Sequence, residues 1–388
     1  MNNFVYDIPV KVYFGEDQLQ YLGSELAIFG KRVLLTYGGG SIKRMGLYDR
    51  LQQELKKHHL EVFELSGIEP NPKIDSIRDG VNMCKEHRID ALLAVGGGST
   101  IDATKWIAAG ACVEHDPWDF FNKGAKIENA LPFISILTLA ATGSEMNSAG
   151  VISNVETKDK IGRASPLLLP KVSFLDPTNT YTVSAYQTAC GAVDIMSHVM
   201  EVYFTMEKGL KMVDYFMEGL LKTVMEYAPI AIKEPDNYEA RANLMWASSW
   251  AINGFIGNGK PKAWSCHPME HQLSAVYDIT HGLGLAILTP RWLRYCLDES
   301  NVSRYVRFGI NVFGIDASLE PMEIAKESIH RLSVFFFETL ALDNTFTKIG
   351  IGEESFEAMA KKACKDSVLQ GFKPLQQKDI EAIYQMCL

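Results

Sequence analysis

Residues 91–111 read "ALLAVGGGSTIDATKWIAAGA". Five apolar residues suited to a fully buried strand run into three glycines, and a segment with helical apolar spacing follows. The same order occurs upstream, where "KRVLLTY" (31–37) leads into Gly38-Gly39-Gly40-Ser41 and the helical "GLYDRLQQELKKH" (46–58). Between them lie a strand "LEVFELS" (60–66), a loop "GIEPNP" (67–72) and a helix "KIDSIRDGVNMCKEHR" (73–88). The strand "PFISILTL" (132–139) comes after. Short apolar strands alternating with helices predict parallel βαβ units, a Rossmann-like sheet with helices on both faces. Ligands of such sheets bind at the carboxyl ends of the strands, where both GGGS segments fall.

The texture changes near residue 183. "AYQTACGAVDIMSHVMEVYFTM" (185–206), "MVDYFMEGLLKTVMEYAPIAI" (212–232), "NYEARANLMWASSWAINGF" (237–255) and "LGLAILTPRWLRYCL" (283–297) carry apolar residues at helical spacing. The expectation is an α/β domain over 1–183 and an all-α domain over 184–388, with "KVSFLDPTNTYTVS" (171–184) as the crossing. The 388 residues are 47% hydrophobic and 22% charged, enough to build large cores without disulfides or structural metals. A formal net charge of -9 argues against nucleic acid or anionic membrane as partner. The N-terminal stretch lacks a signal-peptide pattern, and no apolar run is long enough to span a membrane. Seven scattered cysteines without a CxxC pair read as reduced thiols of a cytoplasmic protein.

Glycines let a backbone approach phosphate closely, and the first amides of a helix favour an anion. Two such loops on one sheet suit the two ends of a dinucleotide. The candidates are Gly38, Gly39 and Ser41 in the first, and Gly97, Gly98, Ser99 and Asp102 in the second. "ILTLAATGSEMNSAG" (136–150) adds Thr138, Thr142, Ser144 and Asn147 as groups able to hydrogen-bond an amide, a ribose or a phosphate.

The nine histidines are unevenly spread. "HPMEHQLSAVYDITHG" (267–282) holds His267, His271 and His281, and "GAVDIMSHVME" (191–201) holds Asp194 and His198. Asp194/His198 and His267/His271 are each at i,i+4, on one helical face about 5–6 Å apart at Cβ. Pro268 suits a first helical position, which places His267 at the N-cap. Several imidazoles and one carboxylate make a nitrogen/oxygen site for zinc or ferrous iron, and without a thiolate pair it reads as catalytic.

With "GGGS…D", "TGSE", "LDPTNTYTVS", D-x3-H and H-x3-H-x9-H in this order, the chain resembles the iron-containing (group III) alcohol dehydrogenases, in particular their NADPH-dependent butanol dehydrogenase and aldehyde reductase branch. The resemblance runs from Tyr6 to the C-terminus. It implies a dehydroquinate synthase-like architecture, a homodimer, and one divalent metal, iron or zinc, on Asp194, His198, His267 and His281. It implies cofactor contacts at Gly97, Gly98, Ser99, Thr138, Thr142 and Lys160, and places His271 beside the reaction centre, where it could relay a proton. The expected reaction links short-chain primary alcohols and aldehydes, the metal acting as Lewis acid while hydride moves to or from nicotinamide C4. NAD-preferring relatives often carry an acidic residue after the first strand. Gly38-Gly39-Gly40 there, followed by Lys43 and Arg44, points to NADP(H) over NAD(H). Trp250, Phe255, Ile256 and Trp264 are candidates for an apolar substrate pocket.

Two alternatives remain. One is a lyase of the dehydroquinate synthase type, which needs basic residues for a phosphorylated, carboxylated substrate, whereas residues 253–290 offer only Lys260 and Lys262. The other is a non-catalytic metal- or nucleotide-binding protein.

Overall fold

The computed structural model describes residues 2–388 except 208, 261, 262 and 366; Lys262 therefore lies outside the described residues. The chain forms two compact units. One comprises residues 7–183 and 235–249, the other 1–6, 184–234 and 250–388.

In the first unit, β1 (Lys11–Phe14), β2 (Arg32–Tyr37), β3 (Glu61–Leu65), β4 (Ala91–Gly96), β5 (Phe133–Leu137) and β8 (Val172–Leu175) form a sheet of order β1-β8-β5-β4-β2-β3, parallel throughout. A β6–β7 hairpin (Ala149–Asn154, Asp159–Ala164) stands apart. The helices are α1 (Leu22–Ala27), α2 (Ser41–Arg44), α3 (Leu47–Lys57), α4 (Ile74–His87), α5 (Gly98–Gly110) and α6 (Asp119–Asn122). Strand alternation splits the core between the two faces. Leu34, Leu92, Ala94 and Phe133 pack with Ile77, Val81 and Ile101 of α4 and α5. Val33, Leu35, Leu93 and Ile134 pack with Leu26, Leu51 and Leu55 of α1 and α3. Covered on both sides, these strands have no polar face, hence their continuous apolar runs.

Four strands escape the sequence reading. "KVSFL" is not a crossing but β8, paired between β1 and β5. β1 and the β6–β7 hairpin were not anticipated either. The second glycine loop also contributes more to its helix than expected, since α5 begins at Gly98 with Gly97 as N-cap.

The second unit carries α7 (Ala185–Tyr203), α8 (Lys211–Lys233), α10 (Cys266–Tyr277), α11 (His281–Cys296), α12 (Val302–Phe313), α13 (Pro321–Val334), α14 (Phe356–Cys364) and α15 (Gln377–Gln385). Helix α9 (Tyr238–Trp250) lies between α8 and α10 in sequence, yet residues 235–249 group with the sheet. Its Met245 enters the α4–α5 core and its Trp246 packs edge-on against Phe14. No helix is long and apolar enough to cross a membrane among the described residues.

Helix α7 starts at Ser184, whose hydroxyl accepts the Gln187 amide at 3.2 Å as an N-cap. α11 approaches α7 so closely at Gly282 that a Cβ there would run into the Cys190 carbonyl. At Gly284 a Cβ would stand 2.8 Å from Glu270 Cγ. We predict that Gly282→Ala destabilises the protein by about 1–3 kcal/mol, the usual cost of overpacking. A lowered denaturant midpoint at unchanged m-value is the expected observation; an unchanged midpoint contradicts the close approach.

Candidate metal centre and nucleotide site

Asp194, His198 and Glu201 share one face of α7, at positions i, i+4 and i+7. Helix α10 carries His267, Glu270 and His271. A link of only three residues, with Asp278 in the left-handed region (φ 49°), turns the chain into α11, where His281 is the first residue. His267 is not the N-cap. Ser265 is, and the helix begins one residue before His267 at Cys266. Pro268 is tolerated at the third position because first-turn amides need no intrahelical acceptor.

These helices bring the four expected metal residues together around one oxygen. Asp194 Oδ1 lies 3.5 Å from His198 Nε2, 3.6 Å from His267 Nε2 and 3.6 Å from His281 Nε2. Ligands about 2.0–2.2 Å from a tetrahedral metal stand ~3.3–3.6 Å apart. The ligand atoms of Asp194, His267 and His281 lie within 4.8 Å of one another, and the His198 ring stacks on that of His267 with centroids 4.8 Å apart. Asp194 Oδ1 and His267 Nε2 are buried without a hydrogen-bond partner, an arrangement that is costly unless a cation completes it. The residues therefore fit a divalent metal.

Burial alone would raise the Asp194 pKa, but the surrounding imidazoles overcome it and hold the carboxyl well below the usual carboxylate range. Burial lowers His198 to about 3, so it is neutral and able to ligate. For His267 burial is outweighed by the neighbouring carboxylates of Asp194 and Glu201, and the pKa rises to about 9.

Two carboxylates that the sequence reading missed orient the imidazoles. Glu201 accepts the amides of Ser265 (2.9 Å) and His267 (2.7 Å) and faces His267 Nδ1 at 3.2 Å. It thus caps α10, whose own Ser265 makes no side-chain cap, and turns Nε2 of His267 toward Asp194. Glu270, wholly buried, contacts His281 Nδ1 and accepts the Ser274 hydroxyl. Such partners fix the tautomer and orientation of ligating histidines. Both glutamates follow a histidine by three residues, but each serves the histidine of another helix, so the spacing alone conceals the pairing.

His271 is half-buried, its ring centroid 5.7 Å from that of His281. Of the four expected pocket residues, only Trp264 packs on the histidines, with centroids 4.7 Å from His267 and 5.7 Å from His198. Trp250 and Phe255 instead form an edge-on cluster with Phe216, and Ile256 is core.

In the sheet unit, the three candidate nucleotide segments follow β2, β4 and β5, which are neighbours in the sheet. Gly39 and Ser41 are exposed, while Gly38, Gly97, Ser99 and Thr142 are partly so. Gly98 is required because Thr142 packs onto it. Thr138 and Lys160 are buried. Asp102 and Asn147 are committed to the protein. Asp102 accepts the Ser144 hydroxyl (2.5 Å) and the Val151 amide (2.8 Å). Asn147 Oδ1 accepts Lys105 Nζ at 3.1 Å and the Ala149 amide at 2.9 Å, and its amide nitrogen donates to the Gly143 carbonyl at 2.9 Å. Lys105, fully buried, also donates to the carbonyls of Asn147 (3.0 Å) and Ala149 (2.6 Å). Asp102 and Lys105 of α5 therefore pin the segment 142–151 from below.

Comparison with known proteins gives matches over nearly the whole chain. Residues 9–177 match the family described as iron-containing alcohol dehydrogenase, and residues 188–388 match the C-terminal part of the Fe-containing alcohol dehydrogenase family. The chain is 48% identical over 386 residues to the NADH-dependent butanol dehydrogenase A of Clostridium acetobutylicum, covering 99% of each. It is 38% identical over 365 residues to the NADPH-dependent aldehyde reductase YqhD of Escherichia coli, covering 93% of each. The crystal structure of the NADH-dependent butanol dehydrogenase A of Thermotoga maritima superposes with a TM-score of 0.95 at 38% identity, covering 100% of this chain and 99% of that one.

The raised pKa of His267 predicts that it carries a proton in the metal-free protein, which metal binding has to displace. With the pKa raised to about 9, apparent affinity should fall about tenfold per pH unit as pH drops from 9 to 7. About one proton should be released per metal bound at pH 7. Calorimetric titration in buffers of different ionisation enthalpy measures this; proton release near zero contradicts it.

Proposed function

The chain belongs to the iron-containing alcohol dehydrogenase family, and from that premise we propose an NADP(H)-preferring alcohol dehydrogenase and aldehyde reductase for short straight-chain substrates, with one divalent metal held by Asp194, His198, His267 and His281. It is a pyridine-nucleotide-dependent oxidoreductase acting on alcohols and aldehydes. The observation that carries the metal assignment is the buried Asp194 Oδ1 facing three imidazole Nε2 atoms at 3.5–3.6 Å. When bound, the metal supplies Lewis acidity toward a carbonyl or hydroxyl oxygen and the nicotinamide supplies or accepts hydride. Iron and zinc both suit these donors.

The protein's own groups do the rest. Glu201 and Glu270 hold the Nδ1 sides of His267 and His281, leaving Nε2 free. The open side of the centre is at His281, whose side chain is 22% exposed, and at half-buried His271. We assign His271 the transfer of a proton between substrate oxygen and solvent. Trp264 offers an apolar surface beside His267 that suits an unbranched aliphatic chain. The lyase alternative is disfavoured because Lys260 is buried, donates to the Val202 carbonyl at 2.9 Å and lies 3.6 Å from Asp214, so it has no freedom to hold a phosphorylated substrate. The enzyme is read as a cytoplasmic homodimer, following the family resemblance.

The cofactor preference rests on the first glycine turn. The relatives' names divide on this point, butanol dehydrogenase A being NADH-dependent and YqhD NADPH-dependent. Residues 38–41 contain no carboxylate, and a Cβ on Gly39 would meet nothing within 4 Å. The Arg44 guanidinium lies over the turn, Nη1 4.0 Å from a Cβ placed on Gly40. Open space and a cation favour a 2′-phosphate.

His267→Ala should lose most bound metal and all measurable aldehyde reduction while staying folded, whereas His271→Ala should keep the metal and lose turnover. Metal analysis beside NADPH-consumption assays on C2–C6 aldehydes tests both; equal metal loss in the two variants contradicts their separate roles. For the cofactor, kcat/KM should be higher with NADPH than with NADH. Gly39→Asp should shift that ratio toward NADH by about tenfold or more, as a carboxylate repels the 2′-phosphate and accepts from ribose hydroxyls. A wild type that favours NADH, or an unchanged ratio in the variant, overturns the preference.

A further inference from the structure

Behind the first glycine turn lies a group of five side chains that the metal centre does not use. Tyr37, the last residue of β2 and only 4% exposed, donates its hydroxyl to Glu64 Oε2 at 2.8 Å. Tyr48 of α3 donates to Glu64 Oε1. Gln52 Nε2 reaches the same oxygen at 3.5 Å. Lys43 of α2 sits with Nζ 5.2 Å from the Tyr37 ring centroid, 4.6 Å from that of Tyr48 and 3.9 Å from Glu64 Oε2. The turn Gly38–Ser41 joins Tyr37 directly to this helix.

A carboxylate therefore does stand behind the turn, although none is in it. It comes from β3, the next strand, paired with β2 through Leu35↔Glu64. Two phenols fix its position, so its charge does not move away. Lys43 is less firmly held. The Lys43 and Glu64 side chains are 50% and 30% exposed, and an ion pair of that exposure contributes little. The ammonium can leave the aromatic faces for a stronger anion at small cost. The Glu64 carboxylate competes with a phosphate for that ammonium.

We propose that Glu64 is the specificity-determining residue of the cofactor turn, because it retains Lys43 against Tyr37 and Tyr48 and so limits how strongly the turn takes a 2′-phosphate. The proposal rests on the reading that this turn receives the adenosine end of the cofactor.

The test is the ratio of kcat/KM for NADPH to that for NADH. Glu64→Gln keeps the hydrogen-bonding shape but removes the charge, and should raise the ratio about tenfold, the size of one charge-assisted hydrogen bond to phosphate. The change should appear mainly in the KM for NADPH. Lys43→Met, an exposed substitution that the fold tolerates, should lower the ratio several-fold. The double variant should show the ratio of Lys43→Met, since the gain acts through the ammonium. A Glu64→Gln ratio within twofold of wild type, an unchanged ratio in Lys43→Met, or a double variant that keeps the gain overturns the proposal. A wild type that favours NADH contradicts the preference argued above but leaves these shifts expected, so the two failures are distinct.

Discussion

A fully buried carboxylate surrounded by imidazoles is the constraint on which the helical unit depends. Taking Asp194 out of water costs several kcal/mol unless a cation faces it closely. Three imidazoles alone are a poor replacement, as the orphaned Asp194 Oδ1 and His267 Nε2 indicate. Much of the neighbouring structure serves to keep these atoms converged. Ser184 caps α7 and so fixes where Asp194 and His198 fall. Glu201 reaches from α7 to the first amides of α10, joining helix capping and imidazole orientation in one side chain. Gly282 lets α11 approach the α7 backbone closely enough for His281 to reach Asp194.

The sheet unit handles its buried charge differently. Lys105, which burial lowers to about 8, is satisfied by three oxygens of the segment after β5. Glu145, also buried, accepts the Ser249 hydroxyl of α9 at 2.6 Å. Here Asp102 and Lys105 are each met by protein groups and hold the loop in place, while Glu145 keeps one oxygen, Oε2, without a partner. In the helical unit the polar interior is left incomplete, with imidazole nitrogens and a carboxylate oxygen aimed at one point. The contrast is the physical reason for assigning metal to one cluster and loop support to the other.

The sequence was informative where one local pattern carried the signal. The βα units around 31–37 and 91–111 were legible because a strand buried on both faces has no polar alternation, and the i,i+4 pairs showed which candidate site residues share a helical face. β8 was not legible, because Asp176-Pro177 immediately after it reads as a linker turn. Nor was the grouping of α9 with the sheet, since helical periodicity identifies a helix without saying which core it joins. Glu201 and Glu270 were missed for a related reason: they lie beside histidines in sequence but orient histidines on other helices. Likewise Glu64 was invisible as a cofactor-turn residue, because only strand pairing brings β3 next to β2.

Anomalous diffraction at the metal edge, from crystals of protein purified anaerobically with ferrous iron, tests the metal assignment most directly. The expected result is one anomalous peak coordinated by Asp194 Oδ1 and the Nε2 atoms of His198, His267 and His281 at about 2.0–2.2 Å. The Nδ1 atoms of His267 and His281 should remain on Glu201 and Glu270. A metal bound elsewhere, or one coordinated by Glu270 and His271 in place of Asp194 and His198, would contradict the assignment.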